Sequence, residues 1–156
     1  MSKLTTFERS AKLAEVRAVY KSRLKVSERT KIAEASDVVR YLRAIWNQNT
    51  LELLEEVVVV CLNGSNEALG WVKVASGGLN MATVDPRVVF TIALQTASSA
   101  IILAHNHPSG SLEPSTADRN LTKRLKEVGD ILRIQLLDHL ILTREGHLSF
   151  KNMGLL

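Results

Sequence analysis

The sequence predicts an α/β (α+β) domain, a mixed β-sheet flanked by helices, and three observations carry that expectation. Apolar runs of strand length, Val57-Val58-Val59-Val60-Cys61-Leu62 and Ala100-Ile101-Ile102-Leu103-Ala104, alternate with segments of helical pattern. Helix starts are marked by their own chemistry: Asp85 precedes Pro86, and Ser115 stands three residues ahead of Asp118. Between two of the strand-like runs lies Asn63-Gly64-Ser65-Asn66, a hairpin turn by composition. A chain of 156 residues with 46% hydrophobic content can bury one real core and is too short for two comfortable ones.

Taken in order, residues 1–34 form a basic arm and connector, and residues 35–156 form the domain. The arm reads as helical, with Phe7, Leu13, Val16, Val19 and Tyr20 in a loose apolar stripe among Lys12, Arg17, Lys21 and Arg23. Lys25 to Glu34 is polar and reads as a connector, after which Ser36-Asp37 are expected to cap a helix carrying Val38, Val39, Leu42, Ile45 and Trp46. A strand over Glu55 to Leu62 turns into a second over Ala68 to Ala75, broken by Gly77-Gly78. The helix opened by Asp85 and Pro86 is expected to face Val88, Val89, Ile92 and Ala93 inward and to return the chain to the strand Ala100 to Ala104. A helix from Ser115 to about Val128 follows, then strands over Ile131 to Leu136 and Asp138 to Leu142. The turn Arg144-Glu145-Gly146-His147 leads into a last short strand through Phe150. No internal repeat or low-complexity segment is present.

The chemistry concentrates at His105-Asn106-His107-Pro108-Ser109-Gly110 and at Asp118, eleven residues past His107. Residues i and i+2 of a strand project to one side, so His105 and His107 can converge on one ion while Asn106 points away. Pro108, Ser109, Gly110 and Pro114 enforce a turn, and Asp118 falls in the first turn of the following helix. Two imidazoles and a carboxylate are ligands of the kinds that hold a catalytic zinc with its fourth position open. Ser115 and Asp118 also fit a capping box, and an Asp spent on zinc is expected to serve that cap poorly. Cys61, the single cysteine, lies in the valine-rich strand and reads as core, which excludes an internal disulfide and a thiolate zinc cluster.

The spacing of His105, His107, Ser115 and Asp118 resembles the JAMM motif of the JAB/MPN metallopeptidases. Ala100 to Ser109 (AIILAHNHPS), Asp85-Pro86-Arg87, Leu136 to Ile141 (LLDHLI) and Ser149 to Leu156 (SFKNMGLL) look like the RadC-like branch of that family. The resemblance covers roughly Ser36 to the C-terminus and implies a JAB/MPN fold of cytidine-deaminase-like architecture. It implies one zinc ion per chain on His105, His107 and Asp118, with Ser115 helping to stabilise a tetrahedral intermediate. The family also uses a glutamate on an earlier strand as general base, and Glu55 and Glu56 both stand at the head of the valine run. Alternation puts these two on opposite faces; counting back from Asn63 selects Glu55, with Glu56 the next candidate. His139 reads as a packed structural histidine, although Asp138 or His139 can in principle support a zinc ligand from behind. His147 sits in a turn and reads as solvated.

The implied activity is a zinc-dependent metallohydrolase cutting peptide or isopeptide bonds in an unidentified peptide or protein. A DNA-repair-associated factor is the alternative, because RadC-like proteins are traditionally described so; a metal-bearing interaction module without turnover is the third reading. Residues 1–49 hold eleven Lys or Arg against five Asp or Glu, whereas residues 50–156 hold nine against eleven. The basic bias therefore belongs to the arm, which is the physical support for DNA; a helical stripe of that kind docks more often on its own domain or on a sister subunit in a homo-oligomer. The helix-hairpin-helix region of longer RadC-like chains has no counterpart here, which points to a short form. His-Asn-His is not read as an HNH nuclease, whose residues are dispersed through a ββα unit. No run reaches the ~20 apolar residues of a membrane span and none suits a signal peptide, so the expectation is a cytoplasmic protein.

Overall fold

The computed structural model describes residues 25–77 and 84–156. The apolar stripe of the N-terminal arm, from Phe7 to Tyr20, and Gly78 lie outside the described residues. Among the described residues, five strands form one sheet in the order β2-β1-β3-β4-β5: β1 (Glu56–Leu62), β2 (Ala68–Ser76), β3 (Ala100–Asn106), β4 (Gln135–Leu142) and β5 (His147–Ser149). Only β3 and β4 run parallel; every other neighbouring pair is antiparallel. Helix α1 (Ala35–Ile45) covers one face, and α2 (Pro86–Gln95) and α3 (Thr116–Leu132) cover the other. The result is the mixed α/β arrangement expected from the sequence.

The alternation of β1 and β3 divides the core in two. Val58, Val60 and Leu62 join Ile102, Ala104, Val38, Leu42 and Trp46 beneath α1, while Val57, Val59 and Cys61 join Ile101, Leu103, Val89, Phe90 and Leu125 beneath α2 and α3. Both central strands are buried along their whole length, which is why they read as unbroken apolar runs rather than as alternating ones. Cys61 is a buried free thiol, as expected.

Turn and cap chemistry fixes the connections. Asn63 Oδ1 accepts from the amides of Ser65 and Glu67 at 2.9 Å each, closing the hairpin between β1 and β2. Asp85 caps α2 by accepting from the Arg87 amide at 2.9 Å, with Pro86 at the first helical position.

Several boundaries differ from the sequence expectation, each for a visible reason. Glu34, not Ser36, is the N-cap of α1, because Asp37 occupies the third helical position and reaches back to the amides of Ala33 and Glu34. The connector ahead of it contains a short 3-10 turn, Val26–Glu28, and Ala68 donates to the Thr30 carbonyl at 2.8 Å; Ile32 is already part of the core. Val88 is exposed and Phe90 takes its inward place on α2. Helix α3 runs on past Val128 to Leu132, so Ile131 belongs to a helix and is 81% exposed. It ends at Arg133 in the left-handed region (φ 55°), and the chain folds back so tightly that a Cβ at Gly129 would stand 2.5 Å from the Ile134 carbonyl oxygen. The two expected strands on either side of Leu137 are one strand, β4, with a register shift there: Ile101 pairs with Leu136, but Ile102 pairs with Asp138.

Candidate metal centre

His105 lies within β3 rather than past its end, and the strand continues through Asn106. Its alternation sends His105 to the α3 side and Asn106 to the α1 side. Asn106 is fully buried there: its Oδ1 accepts from the Glu56 amide at 2.7 Å, and its Nδ2 donates to the carbonyls of Leu51 (2.7 Å) and Leu54 (2.8 Å). The loop after β3 turns at once. Gly110, at φ 80°, donates to the His107 carbonyl at 3.1 Å, and the Ser111 carbonyl meets His107 Nδ1 at 2.7 Å. Since a carbonyl only accepts, His107 carries its proton on Nδ1, and its Nε2 presents a lone pair.

That lone pair faces the other candidate ligands. His105 Nε2 and His107 Nε2 are 3.0 Å apart; His105 Nε2 lies 3.3 Å from Asp118 Oδ1, and His107 Nε2 lies 3.8 Å from Asp118 Oδ2. Four-coordinate zinc with ligands at about 2.0–2.2 Å holds them about 3.3–3.6 Å from one another. The three separations bracket that value, and two imidazole nitrogens aimed at one point need a cation or proton between them. The donor set thus fits a divalent metal, and among the described residues these three ligands form the group able to hold one.

Asp118 also completes the capping box, contrary to the expectation that metal and cap compete for it. Its Oδ2 accepts from the Ser115 amide (2.7 Å) and hydroxyl (2.6 Å), while its own amide donates to Ser115 Oγ at 3.1 Å. A carboxylate has two oxygens, and here Oδ2 serves the helix start while Oδ1 remains turned toward His105. Burial on its own pushes this carboxyl upward. The hydrogen bond and charge of His105, joined by the Ser115 hydroxyl and amide, outweigh it and hold Asp118 well below the usual carboxylate range, so it is ionised.

Behind His105 stands His139, fully buried and stacked on Phe150 at 4.5 Å. It is packed, as the sequence suggests, and it is also a partner: His139 Nε2 meets His105 Nδ1 at 2.8 Å, and His139 Nδ1 meets Thr122 Oγ1 at 2.6 Å. Burial first, and then the neighbouring His105, keeps this imidazole well below its ordinary value and therefore neutral. Asp138 turns to the other face, accepting from the amides of His139 (2.8 Å) and Lys151 (3.0 Å) and the Ser149 hydroxyl (2.5 Å). The register shift at Leu137 decides between them, because a one-residue slip exchanges the faces of all that follows. Thr122 carried no signal in the sequence; its position four residues after Asp118 on a helix places it one turn behind the ligand.

Of the two glutamates only Glu56 lies within β1, which starts one residue later than expected. Glu56 is buried under α1, accepts from Thr50 Oγ1 at 3.0 Å and pairs with Lys73. Glu55 is half-buried just ahead of β1, where its carbonyl accepts from the Gly77 amide at 2.8 Å. Alternation assigns Glu55 to the side of Val57, the residue paired with His105. Beside His107 opens a cleft of about 270 Å³, walled by Pro108, Ser109, Gly110, Thr143 and the ion pair between Arg144 and Glu52. His147 is exposed at the start of β5.

A mixed α/β sheet that carries one histidine at the end of a strand, a second just past it and the capping aspartate of the next helix defines a JAB-type domain. The family model for the RadC-like JAB domain matches residues 32–155, and the chain belongs to that family. Similar proteins include a UPF0758 protein of Pelodictyon phaeoclathratiforme, 43% identical over 81% of this chain and 55% of that protein. Another, from Flavobacterium johnsoniae, is 43% identical over 65% of this chain and 44% of its own length. A third, from Clostridium beijerinckii, is 38% identical over 92% of this chain and 62% of its own. The chain thus spans about half the length of the curated relatives it matches.

Proposed function

We propose that this domain is a zinc-dependent hydrolase of peptide or isopeptide bonds. The observation that carries the reading is the convergence of His105 Nε2, His107 Nε2 and an ionised Asp118 on one point next to an open cleft. These three residues would hold the ion. Bound there, zinc would bring the pKa of a water to about 7 and polarise the carbonyl under attack.

The remaining steps belong to the chain. Glu55, on the His105 side of β1 by alternation, takes the proton of the attacking water and returns it to the leaving amine. Ser115, one helical turn before Asp118, supplies a hydroxyl to the oxyanion. To do so it must leave Asp118 Oδ2, to which it donates at 2.6 Å here, and such a donor is worth about 3 kcal/mol in the transition state. The cleft beside His107 is the ground over which the substrate chain lies, with Arg144 and Glu52 as its charged wall.

The test pairs the two glutamates. Glu55→Gln should bind Zn²⁺ as the parent does and lose about 10²- to 10⁴-fold in cleavage of a peptide and isopeptide library. Glu56→Gln should keep turnover and lose stability, because its carboxylate is engaged with Lys73 and Thr50 away from the metal centre. Full hydrolysis by Glu55→Gln overturns the assignment of the base. A parent protein that binds no zinc overturns the reading as a whole.

A further inference from the structure

Four groups stand in line behind the metal centre, and each has few ways to place its proton. Thr122 Oγ1 has a single hydrogen and donates it to the Asp118 carbonyl at 2.7 Å, an oxygen that can only accept. The contact of 2.6 Å between the same Oγ1 and His139 Nδ1 must then be filled by a proton on the imidazole. A His105 that ligates through Nε2 carries its proton on Nδ1, so it donates across the 2.8 Å contact to His139 Nε2, which accepts while His139 Nδ1 donates to Thr122. The relay is thus complete when His105 Nε2, which lies 3.0 Å from His107 Nε2 and 3.3 Å from Asp118 Oδ1, is free to take the ion.

We infer that Thr122 and His139 are positioning residues, a buried relay that, with the ion bound, holds His105 in the tautomer able to ligate a divalent metal. The inference rests on the metal reading proposed above and extends it to residues that touch neither ion nor substrate. Run in the opposite sense, the same chain puts a proton on His105 Nε2, in the space the ion must occupy. The direction is set from Asp118, which acts twice: its carboxylate is a ligand, and its main-chain carbonyl one turn before Thr122 orients the hydroxyl that starts the chain. His107 needs no such relay, because the Ser111 carbonyl fixes its tautomer directly. His105 lies inside the sheet, where neighbouring carbonyls are spent on strand pairing, and a side-chain chain replaces the free carbonyl.

The decisive measurement is ¹⁵N NMR of the imidazoles in the Zn²⁺-loaded protein at neutral pH, with Zn²⁺ affinity measured separately by competition against a chromophoric chelator. The parent should show His105 and His139 both protonated at Nδ1; a proton on Nε2 of either overturns the relay. Thr122→Val keeps the shape but frees His139 to take either tautomer, and it should weaken Zn²⁺ binding about 10- to 100-fold. Thr122→Ser, which keeps the hydroxyl, should restore both the tautomers and the affinity. Parental affinity in folded Thr122→Val, or no recovery in Thr122→Ser, also overturns it. If Thr122→Val does not fold, the parental tautomers and the Thr122→Ser affinity still decide. A parent without zinc affinity sinks the metal reading, whereas a parent that binds zinc but carries the His139 proton on Nε2 overturns the relay alone.

Discussion

The two faces of the sheet carry polar residues of the same kinds, often next to one another in the chain, and use them differently. Under α1, Asn106, Asp138 and Glu56 are buried, and the first two bond chiefly to backbone: Asn106 to two carbonyls and an amide, Asp138 to two amides and the Ser149 hydroxyl. Under α3, His105, His139, Thr122 and Asp118 bond mainly to one another, and the chain of contacts ends at a point shared by three ligand atoms. Polar groups committed to backbone anchor loops to the sheet. Polar groups that converge on shared space are arranged for something the chain itself does not supply. Each pair of adjacent residues, Asn106 with His105 and Asp138 with His139, contributes one member to each face, so the strand period sorts support from chemistry.

The contrast can be broken by experiment, most severely on the α1 face. Asn106→Ala leaves two carbonyls and an amide without their partner, and at about 1–3 kcal/mol for each buried orphan the expected loss is about 3 kcal/mol or more. Denaturant titration measures it; a loss below about 1 kcal/mol would mean that Leu51 and Leu54 find other partners and that Asn106 is not their anchor.

The α3 face should respond to acid instead. His139 has its folded value depressed by burial and by His105, so the unfolded chain binds a proton there that the folded chain refuses. The associated stability is complete above the ordinary imidazole value of about 6.5 and is lost as pH falls below it, at up to about 1.4 kcal/mol per pH unit. Denaturation of the metal-free protein from pH 7 to pH 5 should show this slope, and a flat profile would argue against a neutral buried His139.

The smallest effect is expected where the faces' two uses coincide. Ser115→Ala removes the hydroxyl that both caps α3 and holds Asp118 Oδ2, and it should cost about 1 kcal/mol. Because Oδ1 faces His105 independently of that hydroxyl, Zn²⁺ binding measured by chelator competition should stay within a few-fold of the parent. A collapse of affinity would show that the cap also orients the ligand.

Much of this was legible in order along the chain. The hairpin at Asn63 to Asn66, the cap at Asp85 and the burial of Cys61 follow from local chemistry, and local chemistry survives folding unchanged. The ligand set His105, His107 and Asp118 is similarly short in range: a strand period and one loop bring the three together. Boundaries were less legible where packing overrides pattern. Ile131 reads as a strand residue by its side chain, yet the contact of Gly129 with the Ile134 carbonyl fixes where α3 stops. Ser36 reads as a cap, yet Asp37 one residue on reaches further back and moves the start of α1 to Ala35.

The sequence by itself determined the kind of fold and the three candidate ligands, because both depend on periodicity and on spacings of a dozen residues or fewer. It also offered Glu55 and Glu56 as alternatives, since alternation puts neighbours in a strand on opposite faces. What only the tertiary structure decided is which of Asp138 and His139 stands behind His105. That choice turns on a one-residue register shift at Leu137 between strands that pair across more than thirty residues of chain. Register is a property of two strands together, and no pattern within either one contains it.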